Sequence, residues 1–114
     1  MDIFHNFVLD ENQPWKLAGD GISRKVMAYD EHLMIVKVLF EEGGIGLIHN
    51  HIHTQTTYIE SGAFEVTIEG KTRLLKKGDV FFIRSNELHG VKCLEAGLLI
   101  DVFNPAREDF IEKQ

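Results

Sequence analysis

His49, His51, His53 and Gln55 stand two residues apart in one stretch, Leu47 to Glu60, that otherwise alternates like a strand. Successive strand side chains point to opposite faces, so all four project from one side, at ~6.7 Å for each i, i+2 pair. Two imidazoles at that spacing can converge on one ion if their rings tilt inward. A further strand must then bring another donor, and His89, after Asn86-Glu87-Leu88 near the start of a later strand, is the candidate. Imidazole suits Zn, Fe, Ni, Cu and Mn, so the donor types do not choose the metal. The bland alternative is a solvated run of histidines on an exposed face, and residue types alone do not separate the two.

A second group lies near the carboxyl end. The run Leu98–Phe103 reads Leu-Leu-Ile-Asp-Val-Phe, placing Asp101 in an apolar strand. A buried carboxylate is costly unless paired, and often neutralises. Asp101 and Phe103 share a strand face, and Arg107 follows within reach of the same end. A tuned Asp can be a general acid or base, an Arg can grip a carboxylate bidentately, and Phe103 can form a wall against a sugar. The structural alternative is that Asp101 pairs with Arg107 or with a backbone amide.

The elements that must position these groups read as strands: Ser23–Tyr29, Leu33–Phe40, Leu47–Glu60, Phe64–Glu69, Lys71–Lys76, Val80–Arg84, Val91–Leu94 and Leu98–Phe103. Asp30-Glu31 reads as a tight turn between the first two, and Gly70 turns the chain into Lys71–Lys76. Residues 1–20 have no clean period and suggest an irregular arm or edge strand, followed by a barrel over residues 21–114. Pro105–Phe110 suits one short helical turn. This is an all-β pattern of about nine strands, an antiparallel sandwich or barrel, without the helical stretches that parallel strands require. At 114 residues, 44% hydrophobic and 26% charged, the chain can build one core and is a single domain.

The formal net charge of −6 argues against nucleic acid and anionic membranes as partners, but not against an anionic small molecule, since a metal ion or one Arg sets a pocket's field locally. Cys93 is the single cysteine, so no intrachain disulfide forms. The amino-terminal stretch does not read as a signal peptide, no apolar run approaches ~20 residues, and a cytoplasmic location is expected.

Spacing now joins the two motifs. Gly43, five residues, His49-x-His51, three residues, Gln55, six residues and Gly62 resemble the first motif of the cupin family, with Gln where the family has Glu. Gly78 and His89 keep the positions of its second motif, with Arg84, Asn86 and Cys93 where the family has Pro, Gly and Asn. The resemblance implies a cupin double-stranded β-helix, or jelly-roll barrel, holding one divalent transition metal ion (Zn, Ni, Mn or Fe) with His49, His51, Gln55 and His89. A register led by His51 and His53 would put Thr57 or Tyr58 at the acidic position, so His53 is expected beside the site. A neutral Gln leaves the ion its full charge, which favours Lewis-acid and proton-transfer chemistry over oxygen chemistry.

From Gly21 to Phe110, including Gly21-Ile22-Ser23-Arg24-Lys25, Met34-Ile35-Val36-Lys37-Val38 and Asp101-Val102-Phe103, the chain is similar to the KdgF-type pectin-degradation cupins, although Thr54 stands where many of them carry Glu. That resemblance implies ring opening of 4,5-unsaturated uronates to linear keto-uronates. Its active-site Asp, Phe and Arg fall on Asp101, Phe103 and Arg107. It also implies a small sugar acid as partner and a homodimer built on the amino-terminal arm. A non-catalytic sugar-binding cupin and a small-molecule dioxygenase are the rival readings. His5 and His32 read as surface histidines, Trp15 as packing or a dimer contact and Cys93 as apolar filler. Arg24 and Lys25 read as solvated, unless one faces the barrel mouth.

Overall fold

Alternating apolar and polar residues hold most of this chain extended, because only a pleated strand buries every second side chain. A computed structural model, which describes residues 6–111, contains ten strands. They are β1 (Lys16–Gly19), β2 (Ile22–Tyr29), β3 (Met34–Phe40), β4 (Ile45–His49), β5 (Thr54–Ile59), β6 (Ala63–Ile68), β7 (Lys71–Lys76), β8 (Val80–Ile83), β9 (His89–Glu95) and β10 (Gly97–Asn104). All pairings are antiparallel, in a six-stranded sheet β1-β2-β3-β10-β5-β8 and a four-stranded sheet β4-β9-β6-β7. The fold is the all-β jelly roll that the alternation and motif spacing predict.

The inner faces of the two sheets meet in a core of Phe40, Ile59, Phe64, Val66, Phe81, Ile83, Cys93 and Leu99. Phe40 and Phe64 pack edge-to-face at 5.4 Å. A smaller cluster of Met34, Val36, Phe103 and Ala106 fills the end of the barrel nearer the carboxyl terminus. Cys93 is buried as filler.

One expected strand is two. Leu47–Glu60 divides into β4 and β5, which belong to different sheets, with Asn50–His53 outside either strand. The chain has to cross from one wall of the barrel to the other here, and the pleat cannot continue through the crossing. His51 O accepts from the Asn86 amide at 2.7 Å, and Asn50 Nδ2 donates to Asn86 O at 3.3 Å, fastening the crossing to the loop before β9.

Asp30 turns the chain between β2 and β3 as expected, its carboxylate accepting from the amides of His32 and Leu33. The arm before β2 contains a 3-10 turn (Asp10–Asn12) and the edge strand β1. Lys25 is buried, not solvated: its ammonium donates to Asp10 O and Oδ1, both at 3.1 Å, and lies over the Trp15 ring. The helical turn expected over Pro105–Phe110 is confined to a 3-10 turn, Glu108–Phe110. Pro105 instead follows β10 through a cis bond and does not start the turn. His32 is exposed, whereas His5 lies outside the described residues. Among the described residues, no helix is long and apolar enough to cross a membrane.

The motif glycine Gly62 makes the turn into β6 at φ +87°, and a Cβ there would lie 2.6 Å from Glu95 O and 2.8 Å from Gly97 Cα. Backbone must move for any side chain, so Gly62→Ala is expected to lower the unfolding free energy by at least ~2 kcal/mol. The check is a urea titration in which the midpoint falls at constant slope.

Candidate metal centre

The split of the histidine stretch changes how its donors converge. His49 ends β4 and pairs directly with His89, the first residue of β9. His51 lies in the crossing and Gln55 on β5 in the opposite sheet. The ring centroids of His49 and His89 are 4.4 Å apart, those of His51 and His89 4.8 Å, and those of His49 and His51 5.5 Å. One ligand atom from each of the three rings lies within 4.8 Å of the others, so the group could hold a metal ion. β4 must run close to β9 for this. A Cβ on Gly90 would come within 3.0 Å of Gly46 O and 3.1 Å of Ile48 N, so any side chain beside His89 would press β4 away from β9.

The backbone selects the tautomers. Nδ1 of His49 is 2.8 Å from Leu47 O, that of His51 3.1 Å from His53 O, and that of His89 2.9 Å from Glu87 O. A carbonyl only accepts, so each Nδ1 carries the proton and each Nε2 keeps a bare lone pair. Burial, aided by Arg107 and His89, pushes the His51 pKa down to about 4. Burial likewise lowers that of His89. Both rings are therefore neutral at pH 7, the form that binds metal.

Gln55 supplies the fit test. Its Oε1 lies 3.1 Å from His51 Nε2, and with His51 protonated on Nδ1 both atoms are acceptors. Two lone pairs so close repel unless a cation lies between them. The Gln55 amide nitrogen faces the other way, donating to Thr57 Oγ1 at 2.9 Å and to Asp101 Oδ1 at 3.3 Å, while Thr57 Oγ1 donates to the same Oδ1 at 2.6 Å. The donor set fits a divalent ion that could be held by Nε2 of His49, His51 and His89 and Oε1 of Gln55. His53 stands aside, its ring 5.2 Å from that of His51 and its buried Nδ1 without a hydrogen-bond partner among the described residues.

Asp101 is buried, and loss of water pushes its pKa up to about 6 although Thr57, Arg107 and Gln55 all stabilise the charged form. It pairs with neither Arg107 nor a backbone amide, as the structural alternative would have it. Instead Arg107 grips Asp109, Nε to Oδ1 at 3.0 Å and a terminal nitrogen to Oδ2 at 2.8 Å. Its guanidinium lies 5.2 Å from the Phe103 ring centre and 4.2 Å from that of Phe110. His49, Gln55, His89, Asp101, Phe103 and Arg107 line one cavity of about 270 Å³. Thr57, Asp109 and Phe110 were not singled out as site residues by the sequence, and Arg24 only as one of two cations that could face the barrel mouth. For Thr57 the signal was available, since it follows Gln55 by two and shares its inward face. Asp109 and Phe110 lie in an irregular tail, where no period orients side chains.

This arrangement of a closed antiparallel barrel with a three-histidine group inside one end is that of a cupin. The cupin-domain family model matches residues 36–103, and the chain belongs to that family. It is 48% identical over 107 residues to the pectin degradation protein KdgF of Dickeya dadantii (strain 3937), covering 92% of this chain and 97% of that one. Among solved structures, KdgF from Halomonas sp. superposes with a TM-score of 0.90 at 38% identity, covering 94% of this chain and 99% of the other. An RmlC-like cupin from Shewanella frigidimarina NCIMB 400 gives 0.91 at 37% identity, over 94% and 96% of the two chains. The KdgF-type resemblance read from the motifs is thereby borne out.

Thr57 orients Gln55 and carries a hydrogen bond to Asp101, so Thr57→Val, nearly the same shape, should weaken divalent-metal binding about tenfold. Competition with a chelator of known affinity measures this, and an unchanged constant would remove Thr57 from the site.

Proposed function

We propose that this cupin is a metal-dependent isomerase that opens the ring of 4,5-unsaturated uronate monosaccharides, giving linear keto-uronates in pectin or alginate breakdown. The observation that carries this reading is one cavity lined by His49, His89, Gln55 and the buried Asp101, with His51 completing the histidine group beside it. The near-full-length similarity to a pectin degradation protein supports the setting.

The reaction needs only proton movement. As the bond between carbon 1 and the ring oxygen breaks, the hemiacetal hydroxyl gives up its proton and an aldehyde forms. The ring oxygen takes a proton and becomes an enol. The enol then loses its oxygen proton, gains one at carbon 4 and becomes a ketone, so nothing is added or lost overall. A divalent ion held by His49, His51, Gln55 and His89 supplies a Lewis acid for the sugar oxygens.

Asp101 is suited to move the proton. Its Oδ1 is occupied by Thr57 and Gln55, while Oδ2 makes no hydrogen bond to any described residue and belongs to a side chain lining the cavity. Phe103, fixed edge-on to His51 at 5.9 Å and to Phe110 at 5.7 Å, forms an apolar wall for the carbon face of the sugar. Arg107, beside Phe103, adds positive charge to the same wall.

The test is incubation of metal-loaded protein with unsaturated galacturonate, following loss of absorbance from the conjugated double bond. Turnover is expected without oxygen uptake. Saturable binding with no turnover would leave a sugar-binding cupin, and oxygen consumption a dioxygenase. Asp101→Asn keeps an acceptor for Thr57 and should retain metal while turnover falls by a factor of about 10²–10⁴. Full activity in that variant would take the proton-transfer role away from Asp101.

A further inference from the structure

Two guanidinium groups face the cavity, in different states. Arg107 has its fork committed to the Asp109 carboxylate. Arg24, on β2, shares the inward strand face of Ile22 and lines the same cavity. Its guanidinium lies 3.7 Å from the centre of the Phe110 ring, which is also stacked by Arg107. Arg24 is half-buried and makes no hydrogen bond or salt bridge to any described residue.

A guanidinium stacked by its face on an aromatic ring keeps all its N–H donors in the plane, pointing away from the ring. For Arg107 one edge of that plane is already taken by a carboxylate of the same protein, which also offsets its charge. For Arg24 it is open. Asp109 is the one carboxylate whose charge acts on both cations, and it makes its hydrogen bonds to Arg107 and not to Arg24. A partly desolvated cation with uncommitted in-plane donors, at the rim of a sugar-sized cavity, is a site for a planar anion.

We propose that Arg24 is the residue that recognises the substrate's carboxylate, gripping it in the plane of the guanidinium while its face stays on Phe110. This deepens the uronate reading above and rests on it. Asp109 occupies one edge of Arg107 and offsets its charge, so the acid group is directed to Arg24 on β2, beside the 3-10 turn that carries Phe110. Arg24 thus sets selectivity for a sugar acid over its neutral counterpart, while the chemistry stays with Asp101 and the histidine group.

The experiment titrates metal-loaded protein with galacturonate and with galactose by calorimetry, in wild type, Arg24→Gln, Arg24→Lys and Arg107→Gln, with metal content and unfolding midpoint measured for each. Wild type is expected to prefer the acid. Arg24→Gln should cut that preference tenfold or more, with galactose affinity and metal content unchanged. Arg24→Lys, which keeps charge and length but loses the fork, should fall between the two. It carries the test if the Gln variant's midpoint drops. A wild-type preference that survives in both Arg24 variants and is lost in Arg107→Gln overturns the assignment to Arg24 alone. A wild type that does not distinguish acid from neutral sugar sinks the uronate reading itself, and this assignment with it.

Discussion

The carbonyl oxygens of Leu47, His53 and Glu87 each accept a hydrogen bond from Nδ1 of a histidine two residues away along the chain. The spacing is local, so each ring is oriented by the backbone that carries it and needs no other side chain to hold it. Both the tautomer and the direction of Nε2 follow from where the strands end. That transfers the burden to tertiary structure. Three rings aimed by their own backbones converge only if β4, the crossing and the start of β9 are held in register, and the His49–His89 pairing beside Gly90 does this. The histidine group that could hold a metal is therefore a property of the barrel's end and not of one strand.

This explains which parts were legible in the sequence. His49, His51 and His89 could be named from motif spacing, and the all-β class from alternation, because both are short-range patterns. The expectation that four donors share one strand face was wrong: period 2 cannot show that a strand stops and changes sheets between His49 and Gln55. Asp101 was correctly read as buried, since an acid flanked by Ile100 and Val102 in a central strand has nowhere else to go. Its partners were not recoverable, because Thr57 reaches it across the β5–β10 ladder, 44 residues away in sequence. The pairing of Arg107 with Asp109 is local, but it lies beyond the last strand, where no hydrophobic period says which way side chains point.

The same constraint bears on the residue that departs from the family motif. Gln55 presents an oxygen to the histidines and an amide nitrogen to Thr57 and Asp101. A carboxylate at position 55 would have no donor on the second side, and would bring an acceptor to within about 3.3 Å of Asp101 Oδ1. Two carboxylates at that distance cannot both stay ionised, so one would take up a proton. With Gln, the carboxylate that a Glu would have supplied is set back by one side chain, onto Asp101, and is joined to the donor oxygen through the amide. Asp101 then remains a carboxyl group with one oxygen fixed and the other uncommitted, and burial alone raises its pKa toward the middle of the range. Gln55 and Asp101 are thus one feature of the site: the neutral donor is what allows a buried acid to stand directly behind it.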